Sequence, residues 1–221
     1  KAKLGIFIHW GVYAVKGVSE SWSFYNKYLP HEEYMKQCEG FTASKYDPKA
    51  WVELIKESGA QYTVLTTKHH DGVALWDTKQ NGISVVKNTP AKRDLVTPFV
   101  NEVRKAGLRL GLYYSLPDWS HPDYPNMTRT DVRYKDDPKR WDDFCKFNFG
   151  QLKELNTTYK PDLYWFDGDW EMSAETWRAK EIMELLRSTN KDVIVNSRIT
   201  GYGDYATPEQ GVPVVRPEEK Y

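Results

Sequence analysis

At 221 residues the chain is long enough for one substantial core, and a single domain is the natural expectation. Lys plus Arg equals Asp plus Glu, 31 against 31, so the formal net charge is zero and no nucleic acid or anionic membrane is implied as a charge-driven partner. Two cysteines exclude a disulfide framework, and no run approaches the roughly 18 apolar residues of a membrane-spanning helix.

Leu4 to His9 is a continuous apolar run, expected to be a strand buried on both faces that ends in His9-Trp10-Gly11. The stretch from Val12 to Phe41, with Glu20, Trp22, Phe24, Tyr25 and Tyr28, reads as an active-site loop carrying a short helix. Asp47 as N-cap and Pro48 at the first helical position open a helix to Ser58 with Trp51, Leu54 and Ile55 on one face, and Gly59 ends it. Gln61 to Lys68 is the second strand and delivers His69-His70-Asp71-Gly72 at its tip. Because strand side chains alternate, His69 and His70 are expected on opposite sides.

Asp94 caps a helix to about Ala106, with Gly107 behind it, and Leu108 to Ser115 is the third strand. A polar loop leads to Asp137-Pro138, which opens a helix running to about Asn156. The next strand, 162–166, breaks at Asp167-Gly168-Asp169 between Trp165 and Trp170. A helix from Ala174 to Ser188 and a fifth strand from Val193 to Asn196 follow, the latter ending in Ser197-Arg198.

Strands separated by helices, five times over, predict an α/β protein with a parallel sheet. The polar residues of interest lie at strand C-terminal ends, where a (β/α)8 barrel carries its chemistry. A doubly wound sheet would gather its site at one switch point, and no Gly-x-Gly-x-x-Gly occurs. Five strands do not close such a barrel, so the expected fold class is a (β/α)8-like TIM barrel over residues 1–221, incomplete at its C-terminal end.

Each candidate has an ordinary explanation alone: His9 as a hydrogen-bonded core histidine, Arg198 as an ion-pair partner, Asp167-Gly168 as a turn. Their joint position, with His69, His70 and Tyr113 or Tyr114, at the ends of successive strands is what independent structural needs would scatter. Two chemistries use such a set. A metal hydrolase would gather three or four His and Asp groups around an ion, although adjacent histidines lack the usual spacing of converging ligands. A retaining glycosidase needs an ionised carboxylate as nucleophile and a protonated one as general acid, about 5 to 5.5 Å apart. Asp167 suits the first role and Glu209, on the loop from Gly203, the second; Asp169, Glu20, Glu218 and Glu219 are weaker candidates. The 9 Trp and 15 Tyr suit the faces of sugars as well as they suit cores, so a non-catalytic sugar-binding barrel is a further reading.

The chain resembles the catalytic domain of the α-L-fucosidases of glycoside hydrolase family 29. The resemblance rests on Gly5-Ile6-Phe7-Ile8-His9-Trp10-Gly11, Lys68-His69-His70-Asp71-Gly72, Pro90-Ala91-Lys92-Arg93-Asp94, Tyr113-Tyr114-Ser115, Trp165-Phe166-Asp167 and Gly203-Asp204-Tyr205-Ala206-Thr207-Pro208-Glu209. It implies a (β/α)8-like barrel followed by a β-sandwich domain not present in this chain, and retaining hydrolysis without metal or cofactor. It also implies a fucosylated oligosaccharide or glycoconjugate as substrate and a secreted, periplasmic or lysosomal setting. Carried over by position, Asp167 is the nucleophile and Glu209 the acid/base. His9, His69, His70, Tyr114, Trp165 and Arg198 hold the fucose ring, and Trp22 stands near the wall for its methyl group. The chain departs from the family in an alanine inserted at Ala91 and in Glu20-Ser21-Trp22, where the family has Glu-Trp.

Overall fold

The computed structural model describes residues 2–208. Among them, five strands form one sheet in chain order: β1 (Gly5–Ile8), β2 (Tyr62–Lys68), β3 (Arg109–Ser115), β4 (Leu163–Asp167) and β5 (Ile194–Val195). Every neighbouring pair is parallel. Sequential order with no reversal is the topology of a barrel wall rather than of a doubly wound sheet, which would reverse at a switch point.

Three short helices, α1 (Trp22–Tyr25), α2 (His31–Met35) and α3 (Gln37–Gly40), occupy the loop after β1, where one was expected. The remaining helices are α4 (Pro48–Glu57), α5 (Val85–Asn88), α6 (Val96–Lys105), α7 (Pro138–Tyr159) and α8 (Ala179–Thr189). Local chemistry starts them: Asp47 accepts from Ala50 N at 3.0 Å and Asp137 from Arg140 N at 3.1 Å, each with proline at the first helical position. Asp94 likewise accepts from Val96 N and Thr97 N, both at 2.8 Å.

The two sheet faces bury different things. Outward-facing Leu65, Leu110, Leu112, Tyr114, Tyr164 and Phe166 join Ile55, Phe99, Val103, Phe144, Leu152 and Leu186 from the helices in the main core. Inward-facing Phe7, Val64, Tyr113, Leu163 and Trp165 form a small second cluster. That interior layer explains a departure from expectation: β1 is only half-buried, not buried on both faces, because it is an edge strand of a barrel wall that these residues do not close.

Three boundaries also differ. α8 starts at Ala179 rather than Ala174, since Arg178 sits at φ 55° and interrupts helical geometry. α7 runs on to Tyr159 and stops where Lys160 turns left-handed at φ 45°. β5 is two residues long, and a side chain extends it: buried Asn196 accepts from Phe166 N at 2.8 Å and donates to Phe166 O at 3.0 Å. The amide thus replaces a ladder rung and braces the end of β4. Among the described residues no helix is long and apolar enough to cross a membrane.

Candidate active site

Asp167 is the last residue of β4 and is buried. Its carboxylate is held from two directions, Oδ1 lying 2.6 Å from Arg198 Nη1 and Oδ2 accepting from Tyr113 OH at 2.9 Å. Burial and the Asp167 charge push the Tyr113 phenol well above its ordinary pKa, so it remains a donor. The backbone is fixed as firmly. Leu116 N donates to Asp167 O at 3.0 Å, and the chain then turns through Gly168 at φ 84°, where an added Cβ would lie 2.3 Å from Pro117.

Three histidines face this carboxylate, each tied through Nδ1 to a hydroxyl. His9 meets Tyr13 OH at 2.7 Å, His69 meets Ser21 Oγ at 2.5 Å, and His70 meets Ser115 Oγ at 2.5 Å. Ser115 gives its own proton to Pro117 O at 2.6 Å, so its oxygen accepts from His70 Nδ1–H. His70 Nε2 is then a lone pair, 3.6 Å from Asp167 Oδ2, buried and with no hydrogen-bond partner among the described residues. Burial, against the attraction of Asp167 and helped by the nearby charges of Lys68 and Arg198, lowers the pKa of His70 to about 4, and burial holds that of His69 well below the ordinary imidazole value. Both rings are therefore neutral near pH 7. His9 is more exposed, and its pKa falls through partial burial, opposed by the charges of Glu20 and Asp167.

His69 and His70 are not on opposite sides, as strand alternation predicts. The register slips between Thr66 and Lys68, β2 ends at Lys68, and the chain turns through Gly72 at φ 78° with Gly72 N donating to His69 O at 3.0 Å. The two rings lie 4.4 Å apart, and His69 stacks on Tyr113 at 5.7 Å and 7°. His69, His70 and Asp167 each bring a ligand-capable atom within 4.8 Å of the others, a metal-sized grouping that spacing alone argued against. The Arg198 guanidinium beside Asp167 works against a cation there, because it already supplies the positive charge.

Aromatic rings wall the site. Trp22 and exposed Trp170 are nearly parallel, 6.2 Å apart at 17°, and both stand edge-on to His70. Trp119 backs His70 at 4.5 Å and is itself held by Glu171 Oε1, 2.8 Å from its Nε1; Glu171 Oε2 accepts from Tyr124 OH at 2.6 Å and Asn126 Nδ2 at 3.0 Å. Trp165 packs edge-on against Phe7 on the interior face.

Not every expected residue arrives. Tyr114 points to the opposite face: its hydroxyl donates to Asn148 and accepts from Lys68 Nζ at 3.0 Å, fully buried behind the sheet. Alternation along β3 allows one of the two tyrosines inside, and it is Tyr113. Asp169 holds the loop after β5, accepting from Thr200 N at 2.9 Å and Oγ1 at 3.2 Å. Glu209, Glu218 and Glu219 lie outside the described residues. Sequence reasoning missed Tyr13, Ser21, Ser115, Trp119 and Asn196. The i, i+2 spacing of Tyr113 and Ser115, which puts both on one face of β3, was a local signal for Ser115.

The alpha-L-fucosidase family model matches residues 1–221. The chain belongs to the alpha-L-fucosidase family. Tissue alpha-L-fucosidase of Bos taurus is 33% identical over 217 residues, covering 90% of this chain and 45% of its own. An alpha-L-fucosidase of Branchiostoma floridae is 34% identical over 226 residues, covering 92% and 48%. Among solved structures, alpha-L-fucosidase isoenzyme 1 of Paenibacillus thiaminolyticus superposes with TM-score 0.87 at 37% identity, over 95% of this chain and 54% of that one. The GH29 alpha-L-fucosidase of Bacteroides thetaiotaomicron gives 0.79 at 34%, over 93% and 49%. Alpha-L-fucosidase AlfC of Lactobacillus casei, solved in complex with its alpha-L-fucose product, gives 0.80 at 29%, over 98% and 74%.

The chain thus spans about half the length of the curated relatives it matches. As in these fucosidase relatives, the fold is a TIM barrel, of which the five parallel strands are part. Within a family 29 barrel, an interior carboxylate at the tip of β4 paired with an arginine can act as a nucleophile, and neutral imidazoles can accept from hydroxyls of a bound ligand.

Proposed function

We propose that the chain carries the catalytic barrel of a retaining exo-α-L-fucosidase, which removes terminal α-L-fucose from fucosylated oligosaccharides or glycoconjugates. The observation that carries this reading is the Asp167 carboxylate, buried at a barrel-strand tip and held by Arg198 at 2.6 Å and Tyr113 at 2.9 Å. Asp167 attacks the anomeric carbon while Glu209 protonates the leaving oxygen; Glu209, then ionised, draws a proton from water, which hydrolyses the glycosyl ester. The Nε2 lone pairs of His69 and His70, with His9, take hydrogen bonds from sugar hydroxyls. Trp22 and Trp170 wall the methyl group, Trp165 the ring, and Arg198 stabilises the departing carboxylate. No metal or cofactor takes part. The β-sandwich domain rests on the family resemblance, with which the relatives' greater length is in keeping, and a glycan substrate supports a secreted, periplasmic or lysosomal setting.

The test is release of 4-nitrophenol from its α-L-fucoside by the full-length protein, with and without EDTA, beside Asp167→Ala. Chelator-resistant activity that the variant loses is expected, and NMR of the first product should show the α anomer. A β-anomer product would overturn the retaining mechanism, and Glu209→Ala unresponsive to azide would overturn the acid/base assignment. The grouping of His69, His70 and Asp167 favours a metal hydrolase as the second reading, and loss of activity with EDTA would select it.

A further inference from the structure

Glu171 follows Trp170 on the loop after β4 and reaches across to the loop after β3. Its Oε1 accepts from Trp119 Nε1 at 2.8 Å, and its Oε2 accepts from Tyr124 OH at 2.6 Å and from Asn126 Nδ2 at 3.0 Å. The same three residues are bound a second time, through their backbones. Arg133 Nη2 donates to Trp119 O at 2.8 Å, and Arg133 Nη1 donates to Tyr124 O and Asn126 O, both at 3.1 Å. Arg133 therefore fixes the shape of its own loop, while Glu171 ties the side chains of that loop to the loop that carries Trp170. Hydrogen bonds to a charged acceptor are about twice as strong as neutral ones, which suits a carboxylate to that task.

What Glu171 secures is the seat of Trp22. The buried Trp119 ring stacks on Tyr25 at 3.9 Å and 17° and stands edge-on to Trp22 at 5.1 Å and 75°. Trp22 also lies against Tyr25, at 5.4 Å. Trp170, nearly parallel to Trp22 at 6.2 Å, is the chain neighbour of Glu171. Both rings of the wall thus refer to one side chain, Trp170 through a peptide bond and Trp22 through the Trp119 indole. We propose that Glu171 is a positioning residue that sets the spacing of Trp22 and Trp170, and through it the preference for a sugar bearing a methyl group over its hydroxymethyl analogue. The preference rests on the fucosidase reading; the spacing does not. An apolar wall rejects an added hydroxyl by only about 100-fold at best, so its rings must be held in register to reach that figure.

Two readouts of the full-length protein separate the spacing from its consequence. The first is the nuclear Overhauser effect between ring protons of Trp22 and Trp170, expected in the wild type and lost in Glu171→Ala. The second is the ratio of kcat/KM for the aryl α-L-fucoside to that for the aryl α-L-galactoside, expected to fall about tenfold in Glu171→Ala. A merely structural role would slow both substrates alike and leave the ratio unmoved. Glu171→Gln is the conservative rescue. Its amide oxygen keeps the Trp119 N–H, its amide nitrogen donates to the Tyr124 hydroxyl, and Asn126 turns the oxygen of its own amide toward it, so the Overhauser effect and the ratio should both survive. If Glu171→Ala does not fold, Trp119→Phe deletes the same N–H and takes its place, with the same fall expected. An unchanged ratio in that variant, a glutamine variant as impaired as the alanine one, or a wild type that lacks the Overhauser effect or turns over both glycosides alike overturns the proposal. A wild type inactive on the fucoside would defeat the fucosidase reading, and the Overhauser effect in wild type and variant would then decide the positioning role by itself.

Discussion

Tyr113 and Tyr114 are consecutive on β3 and serve opposite sides of the sheet: Tyr113 OH donates to Asp167 at 2.9 Å, while Tyr114 OH is bound to Asn148 and Lys68 behind it. The same phenylalanine substitution at the two positions should therefore fail differently. Tyr113→Phe removes a hydrogen bond to a charged group, worth about 1.5 to 3 kcal/mol, and should lower kcat/KM for the aryl fucoside by roughly 10- to 100-fold with little change in stability. Tyr114→Phe leaves buried Lys68 and Asn148 short of a partner and should cost about 1 to 3 kcal/mol in urea unfolding, with KM unchanged. A Tyr114→Phe protein of normal stability and raised KM would reverse the assignment.

Asp167 has no substitute in its position. Asp167→Ala should bring turnover below about 1% of wild type while the protein unfolds at a similar urea concentration, since loss of a nucleophile affects chemistry far more than folding. Retention of several per cent of the rate would remove Asp167 from the nucleophile role.

Gly168→Ala should destabilise the protein and the site together. A left-handed alanine costs about 1 to 2 kcal/mol, and its Cβ would also displace Pro117, 2.3 Å away, and press on His70 Cε1 at 3.3 Å. Urea titration beside the aryl-fucoside rate measures both effects; unaltered values in both would show that the β4 turn yields.

Acid should destabilise the fold through its buried imidazoles. The folded-state pKa of His70 is lowered to about 4 from 6.5, so between those values the unfolded chain binds a proton that the native one refuses. Stability from this group is complete above the unfolded value and is lost as pH falls toward 4, by about 3 kcal/mol, with His69 adding in the same direction. Asp71 opposes them. Raised from 3.8 to about 6, it holds a proton in the native state that the unfolded chain releases, which favours folding as pH falls through that window. Asp71→Asn should therefore steepen the loss of stability between about pH 6 and 4 in chemical denaturation. A flatter profile would contradict the assigned protonation states.

The barrel class, the five strands, the helix caps and the interest of the strand tips were legible from Leu4 to Arg198, because they depend on local periods and on capping chemistry that neighbours along the chain determine. Asp47-Pro48 and Asp137-Pro138 do as helix starts what their sequences predict. The place of Asp167 at the end of a buried strand was legible for the same reason, since an apolar run that breaks at Asp-Gly marks a strand end locally.

Which residues meet was decided by tertiary structure. A one-residue slip between Thr66 and Lys68 in the β2–β3 register brings His69 and His70 together, and the parity of β3 selects Tyr113 over Tyr114. Neither is expressed by a local period, since both follow from how one strand is paired with the next. The serines that orient the imidazoles carry no motif of their own. Ser21 reaches His69 across 48 residues and Ser115 reaches His70 across 45, and only packing of the loop after β1 and of β3 against the β2 tip makes them partners.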